Sequence, residues 1–173
     1  MEIPGIGKVT KDDDLDWYFS KQLTVPVLRN AECTIVVEGY DDDNRKEDFH
    51  VAIRNFLSVG EHVLLAAQPY IFQYYERCRD YYDPTDEEYV DIQSPGDVWK
   101  HVHLGDEPIV TRRAHGGKEV YVSLECGCSW EREHGLQIVF KNGLLVNKVG
   151  SYDGHVTNSD AYADNTLENV IFH

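Results

Sequence analysis

The sequence predicts an α+β fold, a mainly antiparallel sheet with two helices packed on one face. Three observations predict it. From Glu119 onward, Val120, Val122 and Leu124 alternate with Tyr121, Ser123 and Glu125, and Leu136, Ile138 and Phe140 repeat that period of two after an intervening loop. Lys141-Asn142-Gly143 then reads as a tight turn, because Asn142 and Gly143 tolerate positive φ, and Leu144 to Val149 returns as a third strand of an antiparallel meander. Upstream, Phe49, Ile53 and Phe56 stand at i, i+4 and i+7, the spacing of one apolar helix face.

The other elements follow in chain order. Gly7 to Thr10 reads as a short strand. Asp12, Asp13, Asp14 and Asp16 read as a solvated turn, since the glycine and glutamate that would complete a calcium loop are missing. Trp17, Tyr18 and Phe19 read as core or edge-covering aromatics. Gln22 to Leu28 and Glu32 to Val37 pair as a hairpin through Arg29-Asn30-Ala31, and Pro26 assigns its strand to a sheet edge. Asn44 and Glu47 form a capping box for the first helix, which ends near Ser58. Ser58 and Glu61 repeat the signal for a second helix, whose stripe carries Leu64, Ala67, Ile71, Tyr74 or Tyr75, and Cys78, and which Pro69 kinks or divides. Ser94 caps a short helix over Pro95 to Val102. Pro108 to Arg113 is a strand turned back by Ala114-His115-Gly116-Gly117. The length of 173 residues suits one domain, with an αβ half at 1–83, an acidic linker at 84–91 and the meander half at 92–173.

Charge bounds the partners. With 31 acidic against 16 basic residues the net charge is -15, which disfavours nucleic acid and an anionic membrane surface and favours a basic protein partner. The plainer reading is that the acids only keep the protein soluble. Three loops, Asp12 to Asp16, Asp41 to Asp48 and Asp83 to Asp91, hold 14 of the 31 acids, and together they would make a negative face. Tyr74, Tyr75, Tyr81 and Tyr82, beside Asp86, Glu87 and Glu88, are the candidate contact residues. An aromatic stripe at helical spacing also reads as core. No charged-then-apolar leader and no run of about 20 apolar residues is found, so a soluble, cytoplasmic protein with no membrane association is expected. Cys33, Cys78, Cys126 and Cys128 are expected as reduced thiols.

Candidate chemistry gathers at one end of the meander. Glu133 and His134 lie between its first two strands, and Asp153 and His155 lie just past the third, so the four residues would line one rim. A small hydrolase or metal-dependent enzyme built on that rim is the alternative to a binding protein, with Glu133 and Asp153 as acid and base if about 5–10 Å apart. The same residues could instead simply hold loops together. No cofactor is expected. The alternative is zinc on Cys126, Cys128, His134 and His155, although one residue between the cysteines is poor zinc spacing. A cysteine nucleophile has no signature around it, and His101 and His103 read as surface residues.

Three runs carry a resemblance. Trp130, Glu133, His134, Gly135 and Leu136 form W-x-x-E-H-G-L; Phe140, Lys141 and Gly143 form F-K-x-G; and Tyr152 to Asn158 reads Y-D-G-H-x-T-N. On these residues the C-terminal third resembles a bacterial family of uncharacterised domains, similar to small acidic proteins encoded among toxin-immunity arrays. The resemblance implies no catalytic residue. It implies an immunity-like protein that neutralises a cationic toxin.

Overall fold

A computed structural model describes residues 1–86 and 89–173 of the chain. Among them, strands β1 (Glu2–Ile3), β2 (Gly7–Lys11), β3 (Trp17–Val25) and β4 (Ala31–Glu38) precede helices α1 (Lys46–Ser58), α2 (Glu61–Leu65) and α3 (Gln68–Arg79). Strands β5 (Val102–Leu104), β6 (Ile109–Arg112), β7 (Val120–Cys128), β8 (Glu131–Lys141) and β9 (Leu145–Gly150) follow, and α4 (Asn158–Tyr162) comes last. The described strands form one curled sheet in the order β1-β2-β3-β4-β6-β7-β8-β9, with β5 added to β7. This is the expected α+β class. Every pairing is antiparallel except β4 with β6, where Val36 and Val37 face Ile109 and Val110. A parallel join needs a long crossover, and α1 to α3 lie in that connection.

Residues from both sides of the acidic linker share a single core, from Ile3 and Phe49 through Ile71 to Leu124, Phe140 and Val149. Phe49, Ala52, Ile53 and Phe56 give α1 its buried face. Each large side chain so buried contributes about 1.5–3 kcal/mol. The β8–β9 turn docks on that helix. Asn142 and Gly143 have φ of 52° and 68°, and Asn55 Nδ2 donates to the Asn142 carbonyl at 3.0 Å. A Cβ at Gly143 would lie 2.2 Å from the Ala52 carbonyl oxygen, so only glycine fits there.

Several local expectations are corrected. Pro26 does not mark an edge strand: β3 lies between β2 and β4, and Pro26 opens a 3-10 turn just past Val25, where its missing N–H breaks no ladder bond. Asn44 caps nothing. Helix α1 starts after Arg45, whose N–H donates to Asp43 Oδ1 at 2.7 Å, so the aspartate shapes the entry. The second helix is two, α2 and α3, with Pro69 in the first turn of α3. Gly60, not Ser58, precedes α2. Pro95 to Val102 divides into a 3-10 turn over Pro95–Lys100 and strand β5.

The largest departure is at the C-terminus. The alternation along β7 suggested a half-buried strand, yet Tyr121 and Ser123 are buried as well as Val120, Val122 and Leu124. Residues 151–173 fold back as a strap over the sheet face opposite the helices. Val156 packs with Tyr121 and Val139 in a second small core. Thr157 Oγ1 caps α4 by accepting the Asp160 N–H at 3.1 Å. Asn158 Nδ2 donates to the carbonyls of Val170 and Ile171 at 2.8 and 3.2 Å, and the Val149 N–H donates to the Ile171 carbonyl at 2.8 Å. No helix of the described residues is long and apolar enough to cross a membrane.

Candidate functional site

Strands β7 and β8 are joined by Ser129 and Trp130 alone, so the loop expected between them does not exist. Cys126 and Cys128 are instead strand residues on the core face, and Cys128 Sγ lies 3.3 Å from the Glu131 carbonyl. Burial pushes both thiols up to about 12, which leaves them protonated and poor nucleophiles near neutral pH. His134 is exposed on β8 and His155 is exposed beyond β9. The alternative zinc set of Cys126, Cys128, His134 and His155 is therefore not assembled, and the described residues contain no His, Cys, Asp or Glu group arranged to hold a metal.

The expected rim is divided too. Glu133 and His134 open onto a groove, whereas Asp153 turns to Lys148. Lys148 is 2% exposed; its Nζ donates to Gln137 Oε1 at 2.8 Å, to the His155 carbonyl at 3.1 Å and to the Asp153 carboxylate. Gln137 Nε2 passes the chain on to Ser123 Oγ at 2.9 Å. Burial pushes the Lys148 ammonium below its ordinary value, while Asp153 opposes that shift. Asp153 and His155 thus anchor the strap through a buried lysine. The sequence offered no sign of it, because a lysine in a strand usually faces water.

The contact tyrosines separate as well. Tyr74 and Tyr75 are core residues, not groove edges: Tyr74 Oη donates to the Gly135 carbonyl at 3.0 Å, and Tyr75 Oη donates to the Val90 carbonyl and accepts the Ile92 N–H, both at 2.9 Å. Tyr81 is 83% exposed, and half-buried Tyr82 lies beside the Ser129–Glu133 turn. Asp86 is exposed and accepts the Asp83 N–H at 2.7 Å. Glu87 and Glu88 lie outside the described residues. The first two acidic loops do meet, with Lys11 Nζ 3.5 Å from Asp16 and 3.1 Å from Asp41. Much of their charge is answered there, since Arg112 also engages Asp43 and Asp48.

The concave feature of interest lies elsewhere, on the part of the outer sheet face that the strap leaves open. It is a groove of about 480 Å³. Trp17 from β3, Val36 from β4 and Ile109 from β6 supply apolar surface. Asp106, Glu107, Glu125 and Glu133 add acids, Tyr152 adds a half-buried phenol, and Arg132 and His134 are its basic members. Glu38 pairs with Trp17 across β3 and β4. Burial first, then the charges of Glu125, Glu38 and Asp153, push the Tyr152 phenol up, which sets those carboxylates close around it. Among the described residues no hydrogen bond or ion pair engages the side chains of Glu38, Asp106, Glu107, Glu125 or Glu133. Such a groove can hold a cation against apolar surface. Of its residues, sequence reasoning found only Glu133 and His134; the rest come from four other strands and loops, and the one local hint was the half-buried Trp17 and Phe19 pattern after an acidic turn.

Residues 5–156 match the family described as Domain of unknown function (DUF6985). The chain belongs to this family. Neither a curated protein nor a solved structure matches it. The DUF6985 span takes in the whole groove, from Trp17 to Tyr152, and the Lys148–Asp153 anchor. It ends at Val156, so α4 and the rest of the strap fall after it.

Proposed function

We propose that this chain is a protein-binding domain that holds a basic partner in the groove on its open sheet face, in an immunity-like role in which the partner is a cationic toxin. The observation that carries the reading is the set of unpaired carboxylates, Glu38, Asp106, Glu107, Glu125 and Glu133, gathered around Trp17, Val36 and Ile109. Unpaired acids around a low-dielectric floor concentrate negative potential and steer a cationic surface into place. The apolar floor then supplies area that becomes dry on contact.

The test immobilises the wild-type chain and a variant carrying Glu107→Gln, Glu125→Gln and Glu133→Gln, and passes source-organism lysate over both, at low salt and at about 0.5 M salt, where exposed charges are screened within a few ångströms. The reading expects a basic protein that the wild type retains, that salt releases, that the variant fails to hold, and whose toxicity co-expression of the chain suppresses. Retention that ignores the three neutralised acids would sink it.

A further inference from the structure

We infer that the groove reads an arginine side chain of the basic partner, clamped between Trp17 and Tyr152 with Glu38 and Glu125 as acceptors. The inference rests on the proposed binding role and names what the groove selects. It begins with topology. Trp17 opens β3 opposite Glu38, so the indole and the carboxylate are cross-strand neighbours. Glu125 stands on β7, across the short β6, and Tyr152 enters from beyond β9, with its N–H donated to the His134 carbonyl at 3.2 Å. The four residues thus come from four separate parts of the chain and converge on one groove. Val36 closes its floor: it is 2% exposed yet lies outside both clusters of the buried core.

Chemistry selects the occupant. Two half-buried aromatics favour a cation over their faces, and two carboxylates without partners among the described residues favour a donor that can serve both. A guanidinium is planar, weakly hydrated and forked, so it stacks and donates to two carboxylates at once, whereas an ammonium is a compact and strongly hydrated point charge. The groove's about 480 Å³ accommodates an arginine with its flanking backbone. Arg132 on the opposite wall is exposed, and its charge falls short of the acids around it, so an anionic occupant is disfavoured.

Nine-residue peptides distinguish this inference from the reading beneath it. One is all lysine, one has a central arginine, and one has a central citrulline, which keeps the shape and loses the charge. Affinities are measured at low salt while the Trp17 indole N–H is followed by NMR. The arginine peptide is expected to bind about fivefold more tightly than the lysine peptide, to shift the Trp17 signal, and to lose its advantage in Trp17→Leu and in Glu125→Gln. The lysine peptide should bind Trp17→Leu as it binds wild type, which also shows that the variant is folded. Equal affinity for arginine and lysine peptides, or an arginine preference that survives Trp17→Leu, overturns the arginine clamp and leaves the basic-partner reading standing. Binding of none of the peptides overturns both. Tighter binding of free spermine than of the arginine peptide overturns the assignment to a protein side chain.

Discussion

Arg113 grips Asp160 at two points, 2.7 Å from Nε to Oδ2 and 2.8 Å from Nη2 to Oδ1, and so ties β6 to the strap 47 residues later. Glu168 takes two further bonds from the same guanidinium. Arg113 is 3% exposed, and a bidentate ion pair in that setting is the strong kind. Arg113→Met should leave Asp160 without its cation and destabilise the protein by about 3 kcal/mol. Urea unfolding measures the loss. Hydrogen exchange should show residues 157–173 released first, and protection unchanged in that segment would contradict the latch.

The same pair sets an acid limit. Arg113 holds the Asp160 and Glu168 carboxyls below their ordinary values. A carboxyl depressed in the folded state contributes stability that is present above its unfolded pKa and lost as pH falls through the folded one, because the unfolded chain then binds more protons. Hydrogen exchange of 157–173, corrected for intrinsic rate, should therefore rise as pH drops below about 4. Arg113→Met should show little of this dependence.

Tyr75 tests the core placement of the tyrosine stripe. Its hydroxyl is both donor to Val90 and acceptor for the Ile92 N–H, closing the backbone after α3 onto the helix. Tyr75→Phe keeps the ring against Trp130, at 5.8 Å between centroids, and strands a buried N–H. A loss of about 1–3 kcal/mol is expected in thermal or urea unfolding, with groove affinity for basic peptides unchanged. A variant as stable as wild type would show the bonds to be dispensable.

Asp153 and His155 separate anchoring from catalysis. Asp153→Ala leaves the buried Lys148 ammonium without its counter-ion, at a cost of about 3 kcal/mol. His155→Ala should change stability by less than about 0.5 kcal/mol, since the imidazole is half exposed and only the backbone carbonyl serves Lys148. Denaturant midpoints decide between the two. A His155→Ala loss as large as that of Asp153→Ala would mean that the side chain carries part of the anchor.

Much of the fold was legible because its signals are local. The i, i+4, i+7 spacing of Phe49, Ile53 and Phe56 needs only the pitch of one helix, and the alternation from Leu136 to Phe140 needs only one pleat. Asn142-Gly143 announced its hairpin by backbone preference alone. Cap residues misled at Asn44 and Ser58, where side chains able to cap stood one or two residues from the actual helix start. The rim misled for a different reason. Chain ends brought near by a meander need not face the same side, and Lys148 drew Asp153 away from Glu133 and His134.

The sequence by itself determined the α+β class, the meander, the helix face that makes the core, and an acidic surface charge that selects against anionic partners. Tertiary structure alone decided that 151–173 would cover half of the outer sheet face, that Tyr74 and Tyr75 would be buried, and that Trp17, Glu38, Glu125 and Tyr152 would share a groove. The physical reason is range. Backbone periodicity is written into neighbouring residues, while ion pairs and grooves depend on which distant strands the sheet order sets side by side.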